Sequence, residues 1–128
     1  MENFAQNITN MPILVLAFVG DSVFDLYVRS HLALNALGKV NILHKKAVSL
    51  VNASAQAKLL SSIKDKLTPE ELAIYNRGKN AKSVAAPHVN PKDYSIATGL
   101  EALLGVLYLK GENDRINELF AAIINDKL

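Results

Sequence analysis

The sequence predicts an all-α fold. Apolar residues recur at helical spacing along almost the whole chain, and no run alternates apolar with polar residues between turn signals as a half-buried strand would. In addition, Thr68-Pro69-Glu70-Glu71 has the composition of a helix start.

The first helix is expected to open near Asn10, a favourable N-cap, with Pro12 tolerated in its first turn, and to run to about Leu34 or Gly38. It is apolar nearly all round, the pattern of a central buried helix. A second helix is expected from near Asn41 to about Lys66, with Leu43, Ala47, Leu50, Val51, Ala57, Leu60 and Ile63 on its apolar side and lysines on the other. Thr68 at N-cap, Pro69 at N1 and Glu71 at N3 then form a capping box that opens a short helix ending at Gly78. Lys79 to Lys92 contains Pro87 and Pro91 without helical period and reads as a long basic loop, of a length that compact domains usually reserve for function. Asp93 or Ser95 is expected to cap a helix ending at Gly111. Asn113 or Asp114 is expected to cap the last, with Ile116, Leu119, Phe120 and Ile123 on its apolar face.

With 128 residues, 50% of them hydrophobic, the chain is expected to form a single domain over 1–128 that can bury its own core. It has no cysteine, which excludes disulfides, thiolate zinc sites and cysteine nucleophiles. The longest apolar stretch, Met11 to Val19, contains Pro12 and stops at Gly20-Asp21, short of the roughly 18 to 20 residues of a membrane span. The first residues carry Glu2 and no Lys or Arg, unlike a signal peptide, so a cytoplasmic location is expected. Charge is segregated: residues 1–38 carry a formal −2, residues 39–92 carry +7 and residues 93–128 carry −3. The basic middle suits a polyanion, although solvated helix lysines give the same count.

Asp21 and Asp25 lie four residues apart on one face of the most apolar helix, where ionised carboxylates need partners. Asp25 has Arg29 at i+4 and reads as a structural ion pair. Asp21 has no basic residue at i+3 or i+4. Glu101, set between Leu100 and Ala102-Leu103-Leu104, has only Gly105 at i+4. Two carboxylates without local partners on two core helices suit a tertiary partner or a shared hard cation, above all Mg²⁺. His31, His44 and His88 lack metal-ligand spacing, Gly78 to Ser83 lacks the second glycine of a phosphate loop, and Gly20-Asp21-Ser22 is no nucleophile elbow. Asn7-Ile8-Thr9 and Asn52-Ala53-Ser54 match a glycosylation pattern that carries no meaning in a cytoplasmic chain.

At these carboxylates the chain resembles a known family. Leu16-Ala17-Phe18-Val19-Gly20-Asp21-Ser22-Val23 is similar to the L-E-F-L-G-D-[AS]-V signature of the ribonuclease III catalytic domain, and Gly99-Leu100-Glu101-Ala102-Leu103-Leu104-Gly105 to its D-x-x-E-A-L-[IL]-G motif. Ala17 stands where most members have glutamate and Thr98 where they have aspartate, so two of the usual four carboxylates are absent. Alanine and threonine at these places, with Leu26-Tyr27-Val28-Arg29, Leu43-His44-Lys45-Lys46-Ala47 and Arg77-Gly78-Lys79-Asn80-Ala81-Lys82-Ser83, resemble the Mini-ribonuclease III branch, which lacks the double-stranded RNA-binding domain. The resemblance covers about residues 13–124. Val84-Ala85 replaces the Gly-Thr that commonly follows in that branch, so a different loop conformation is expected there.

The resemblance implies a ribonuclease III-like helical, dimeric endoribonuclease that uses Mg²⁺ to cut double-stranded RNA, leaving 5′-phosphate ends. Its branch task is maturing precursor 23S ribosomal RNA, helped by a large-subunit ribosomal protein. Asp21 and Glu101 would be the catalytic metal ligands, with Thr98 supporting through its hydroxyl. Duplex RNA is read by shape and phosphate, which assigns RNA contact to Arg77, Lys79, Asn80, Lys82 and Ser83, then to His44, Lys45 and Lys46. The apolar Met11 to Val19 segment fits a homodimer interface. Two alternatives stand beside this reading: an inactive relative that only binds structured RNA, and a helical interaction domain with incidental charge. Retention of both Asp21 and Glu101 disfavours the inactive relative, and incubation with an RNA duplex in Mg²⁺ or EDTA separates all three.

Overall fold

A computed structural model describes residues 8–35 and 38–127. Among them are six α-helices: α1 (Ile13–Leu34), α2 (Val40–Val51), α3 (Ala53–Ile63), α4 (Pro69–Lys79), α5 (Pro91–Leu109) and α6 (Asn113–Lys127). Single 3₁₀ turns occupy Ile8–Asn10 and Lys64–Lys66, and the described residues contain no strand. The all-α expectation holds. The N-terminal reading around Glu2, Asn7 of the first glycosylation-type pattern, and residues 36–37 within the expected end of the first helix lie outside the described residues.

Local chemistry sets most boundaries. Thr68 and Glu71 form the expected capping box: Thr68 Oγ1 accepts from the Glu71 N–H at 3.1 Å, and Glu71 Oε1 accepts from the Thr68 N–H at 2.9 Å. Gly111 stops α5 with φ +76°, donating to Tyr108 O while Glu112 donates to Leu107 O, each at 2.9 Å. That paired arrangement is the Schellman stop, and it requires the left-handed conformation glycine accepts. The helix proper ends at Leu109, two residues before the glycine that terminates it.

Four sequence expectations are corrected. The first helix starts at Ile13 with Pro12 as N-cap, while Asn10 closes the preceding 3₁₀ turn; proline biases the residue before it towards extended backbone, which delays the helix. The expected helix over 41–66 is two. Asn52 adopts φ −75°, ψ 162°, its Oδ1 accepts from the Ala55 N–H at 2.9 Å, and its Nδ2 donates to Ser49 O at 3.0 Å, so one side chain caps α3 and bonds back to the last turn of α2. Asn90, rather than Asp93 or Ser95, caps α5 by accepting from Lys92 and Asp93, and Pro91 takes the first helical position, repeating the Thr68-Pro69 arrangement. The basic loop therefore shrinks to residues 80–90. Finally, α6 begins at Asn113, so Asn113 and Asp114 lie in its first turn rather than capping it.

The central helix is α5. Helices α1, α3, α4 and α6 all pack against it, and from Ala97 to Leu107 every residue is buried except the half-buried Glu101. By contrast, α1 buries one face, through Leu16, Val23, Phe24, Val28 and Leu32, and exposes another. Leu14, Val15, Phe18 (72% exposed) and Leu26 face solvent, so the apolar surplus of α1 is not absorbed within one chain. Phe24 and Tyr27 of α1 meet Phe120 of α6 with ring centroids 5.5 and 4.9 Å apart.

Glycines decide how closely α1 meets α5. A Cβ on Gly20 would lie 1.6 Å from the carbonyl oxygen of Glu101, and one on Gly105 would lie 2.0 Å from that of Leu16. Each helix thus rests its glycine on the other's main chain. A second contact of this kind joins α4 to α5, where a Cβ on Gly78 would come within 2.7 Å of Ala102 Cβ and 3.0 Å of Gly99 Cα.

Candidate active site

The two glycine contacts of α1 and α5 explain where the unpartnered carboxylates stand. Asp21 follows Gly20 directly, and Gly20 abuts the backbone of Glu101. Two carboxylates from helices that would otherwise hold them apart are thereby brought within hydrogen-bonding reach of each other, with Asp21 exposed and Glu101 half-buried. Burial, then the adjacent Asp21, push the Glu101 carboxyl up to about 8, against a smaller opposing effect of its hydrogen bond from Gln56. Near neutral pH the Glu101 carboxyl therefore keeps its proton unless something positive replaces it. No group of three or more His, Asp or Glu side chains suited to a metal is found among the described residues. A hard divalent cation that keeps several waters fits two carboxylates of this kind.

Gln56 is the one member of this cluster that sequence reasoning missed. It lies in the first turn of α3, is 2% exposed, and donates from Nε2 to Glu101 Oε2 at 3.3 Å. The available signal was its spacing: Leu60 and Ile63 follow it at i+4 and i+7, so Gln56 occupies an apolar stripe.

The remaining expected site residues separate into groups. Thr98 is 5% exposed, and its hydroxyl donates to Tyr94 O of its own helix at 2.9 Å, which leaves only lone pairs for any further contact. Ala17, at the other departure from the family pattern, is also buried. Asp25 forms the expected pair, accepting from Arg29 Nε at 2.9 Å. Arg77 and Lys79 stand in the last turn of α4 and Asn80 caps it. The Gly78 contact binds this end of α4 to α5 beside Ala102, the neighbour of Glu101. Lys82 is exposed and Ser83 half-buried in the loop that follows, where Val84 is 93% exposed. His44, Lys45 and Lys46 are exposed on α2. Among the described residues, none of Arg77, Lys79, Lys82, Lys45 and Lys46 is engaged in an ion pair.

A cleft of about 890 Å³ lies elsewhere, between the start of α4 and the turn before α6. Glu70, Glu112, Asp114 and Glu118 line it, together with a structural pair in which Arg115 donates from Nε and Nη2 to both oxygens of Glu71 at 2.9 and 2.8 Å. The guanidinium holds the Glu71 carboxyl below the usual carboxylate range. That acidic rim repels polyanions and holds neither Asp21 nor Glu101.

A helical domain that presses two carboxylates together at a glycine-tightened crossing, beside unpaired basic side chains, has the features of a nuclease class. Comparison supplies the family. Residues 14–112 match the model of the Ribonuclease III domain. The chain is 38% identical over 122 residues to the Mini-ribonuclease 3 of Clostridium tetani, spanning 94% of this chain and 81% of that protein. It is 46% identical over 114 residues to the Mini-ribonuclease 3 of Brevibacillus brevis, spanning 88% and 84%. A crystal structure of a Fusobacterium nucleatum protein superposes with a TM-score of 0.83 at 30% identity, covering 95% of this chain and 98% of that one. The chain belongs to the ribonuclease III family, within its Mini-ribonuclease III branch, and is an endoribonuclease acting on double-stranded RNA. No helix among the described residues is long and apolar enough to cross a membrane.

Proposed function

We propose that this endoribonuclease is Mg²⁺-dependent, works as a single-domain homodimer, and matures precursor 23S ribosomal RNA, with a large-subunit ribosomal protein shaping the substrate as in its branch. The observation that carries the catalytic part is the Asp21–Glu101 pair: a carboxyl raised to about 8 beside a second carboxylate is a site waiting for positive charge. When bound, Mg²⁺ supplies an acidified water and neutralises charge developing on the phosphoryl oxygens. Asp21 and Glu101 hold and orient it. Thr98, whose hydroxyl hydrogen is committed to Tyr94 O, contributes at most an acceptor, so its role is lesser. Incubating the protein with a long RNA duplex in Mg²⁺ is expected to yield 5′-phosphate fragments, and EDTA to prevent this. Duplex binding without cleavage in Mg²⁺ identifies an inactive relative instead.

RNA contact is assigned to the end of α4 and the loop after it, with His44, Lys45 and Lys46 of α2 as further contacts. The support is that Arg77, Lys79 and Lys82 have no acidic partners among the described residues and that Gly78 ties their segment to the helix bearing Glu101. Each lost phosphate contact should lower the logarithmic salt slope of binding by roughly 0.7 to 0.9, taking DNA values as a guide. Lys82→Ala, and Arg77→Ala combined with Lys79→Ala, are therefore expected to weaken duplex binding and flatten its salt dependence with an unchanged melting temperature. Unchanged affinity and slope in both would move the RNA surface elsewhere.

The dimer is supported by the unpartnered face of α1, where Leu14, Val15, Phe18 and Leu26 are exposed. An isologous contact through this face covers the patch in both copies and relates two acid pairs by a two-fold axis, one for each strand of a duplex. Sedimentation at micromolar concentration should return about twice the 13.9 kDa chain mass, and a particle of 13.9 kDa rejects the dimer.

A further inference from the structure

Gln56 has no packing reason to be polar. It shares the inner face of α3 with Leu59, Leu60 and Ile63, all buried, at a position where an apolar side chain would continue the stripe. Burying a carboxamide is unfavourable unless its hydrogen bonds are made, and the partner its Nε2 finds is Glu101 Oε2, 45 residues away on α5. The bond joins two helices at the one residue of the Ala97–Leu107 segment that is not fully buried. Asn52 sets the geometry: by capping α3 it starts a new helix four residues before Gln56, with its own direction and phase.

We propose that Gln56 is a positioning residue for the acid pair: its side-chain N–H fixes Oε2 of Glu101 and leaves the other carboxylate oxygen to a divalent cation shared with Asp21. The inference rests on the reading of Asp21 and Glu101 as metal ligands and adds the group that orients one of them. With no third acidic or histidine side chain in the cluster among the described residues, the orientation of each carboxylate matters more than in a fuller cage. Groups that hold metal ligands in place characteristically change metal affinity or activity 10- to 100-fold when removed.

Gln56→Met keeps the length of the side chain, suits the apolar stripe and removes the donor. Titrated with Mn²⁺ in the absence of RNA and followed by electron paramagnetic resonance, the variant is expected to bind roughly tenfold more weakly than wild type. Its kcat on duplex RNA should fall by a similar factor while KM stays within about twofold. A folded Gln56→Met protein with wild-type Mn²⁺ affinity and kcat overturns the inference and leaves the acid-pair reading intact. A wild-type protein that binds no Mn²⁺, or whose Mn²⁺ affinity is unchanged by Asp21→Asn, overturns both. If Gln56→Met does not fold, the side-chain amide resonances of Gln56 in the wild-type protein decide. They are expected to shift on Mg²⁺ addition in wild type and not in Asp21→Asn, and resonances that stay fixed in wild type overturn the inference.

Discussion

Asp21→Asn and Glu101→Gln are each expected to retain the fold and to cut duplex RNA roughly a hundredfold to a thousandfold more slowly, or slower still, the range seen when a preorganised electrostatic contributor is deleted. Either isosteric variant cutting at near wild-type rate would remove the pair from the reaction. Stability should move the other way for Glu101→Gln. The folded carboxyl keeps its proton up to about pH 8, whereas an ordinary glutamate in the unfolded chain loses it near 4.5. The folded state therefore holds the extra proton between those values, and metal-free stability falls as the pH rises through that window. Glutamine has no such charge to suppress. At pH 8 without metal, Glu101→Gln should melt at or above the wild-type temperature, and Mg²⁺ should raise the melting temperature of wild type but not of the variant. A wild-type melting temperature independent of both pH and Mg²⁺ would contradict the electrostatic account.

Gly20→Ala and Gly105→Ala carry the largest expected loss of stability. In an exposed helix each change would stabilise by about 1 kcal/mol through propensity. Here the new methyl meets a carbonyl oxygen of the facing helix at 1.6 or 2.0 Å, and main chain, unlike a flexible side chain, can yield only if the helices separate. Overpacking of this kind costs about 3 kcal/mol or more, so the melting temperature should drop by roughly 10 °C, and activity should fall because the carboxylates separate with the helices. Thermal melts showing either variant at or above the wild-type temperature would show that the crossing is looser than described.

What the sequence made legible was local. The capping box at Thr68, the stop at Gly111 and the Asp25–Arg29 pair depend on residues within four or five positions of each other, and all formed. Asn52 escaped notice because apolar spacing continues through it on both sides, so the break shows only in the extended backbone at that residue. The α1–α5 contact was half visible: mid-helix glycines are unfavourable enough to imply close approach, but which backbone approaches is a tertiary fact. Gln56 and the Arg115–Glu71 pair stayed hidden for the same reason, their partners lying 45 and 44 residues away. The all-round apolarity of α1 had two readings, a central helix or a helix with an uncovered face, and the exposure of Phe18 decides for the second.

Because Gly20 rests on a carbonyl of α5 and Gly105 on a carbonyl of α1, the spacing of the acid pair is gauged by main chain against main chain. Exchanges of side chain around the pair leave that gauge untouched. Positions such as Ala17 and Thr98 can drift in identity while Asp21 and Glu101 keep their separation, whereas the two glycines can accept no other residue without detuning it. Evolutionary latitude at this centre should therefore run opposite to chemical intuition: side chains such as those at positions 17 and 98 are the variable part, and the two residues without side chains are the invariant one.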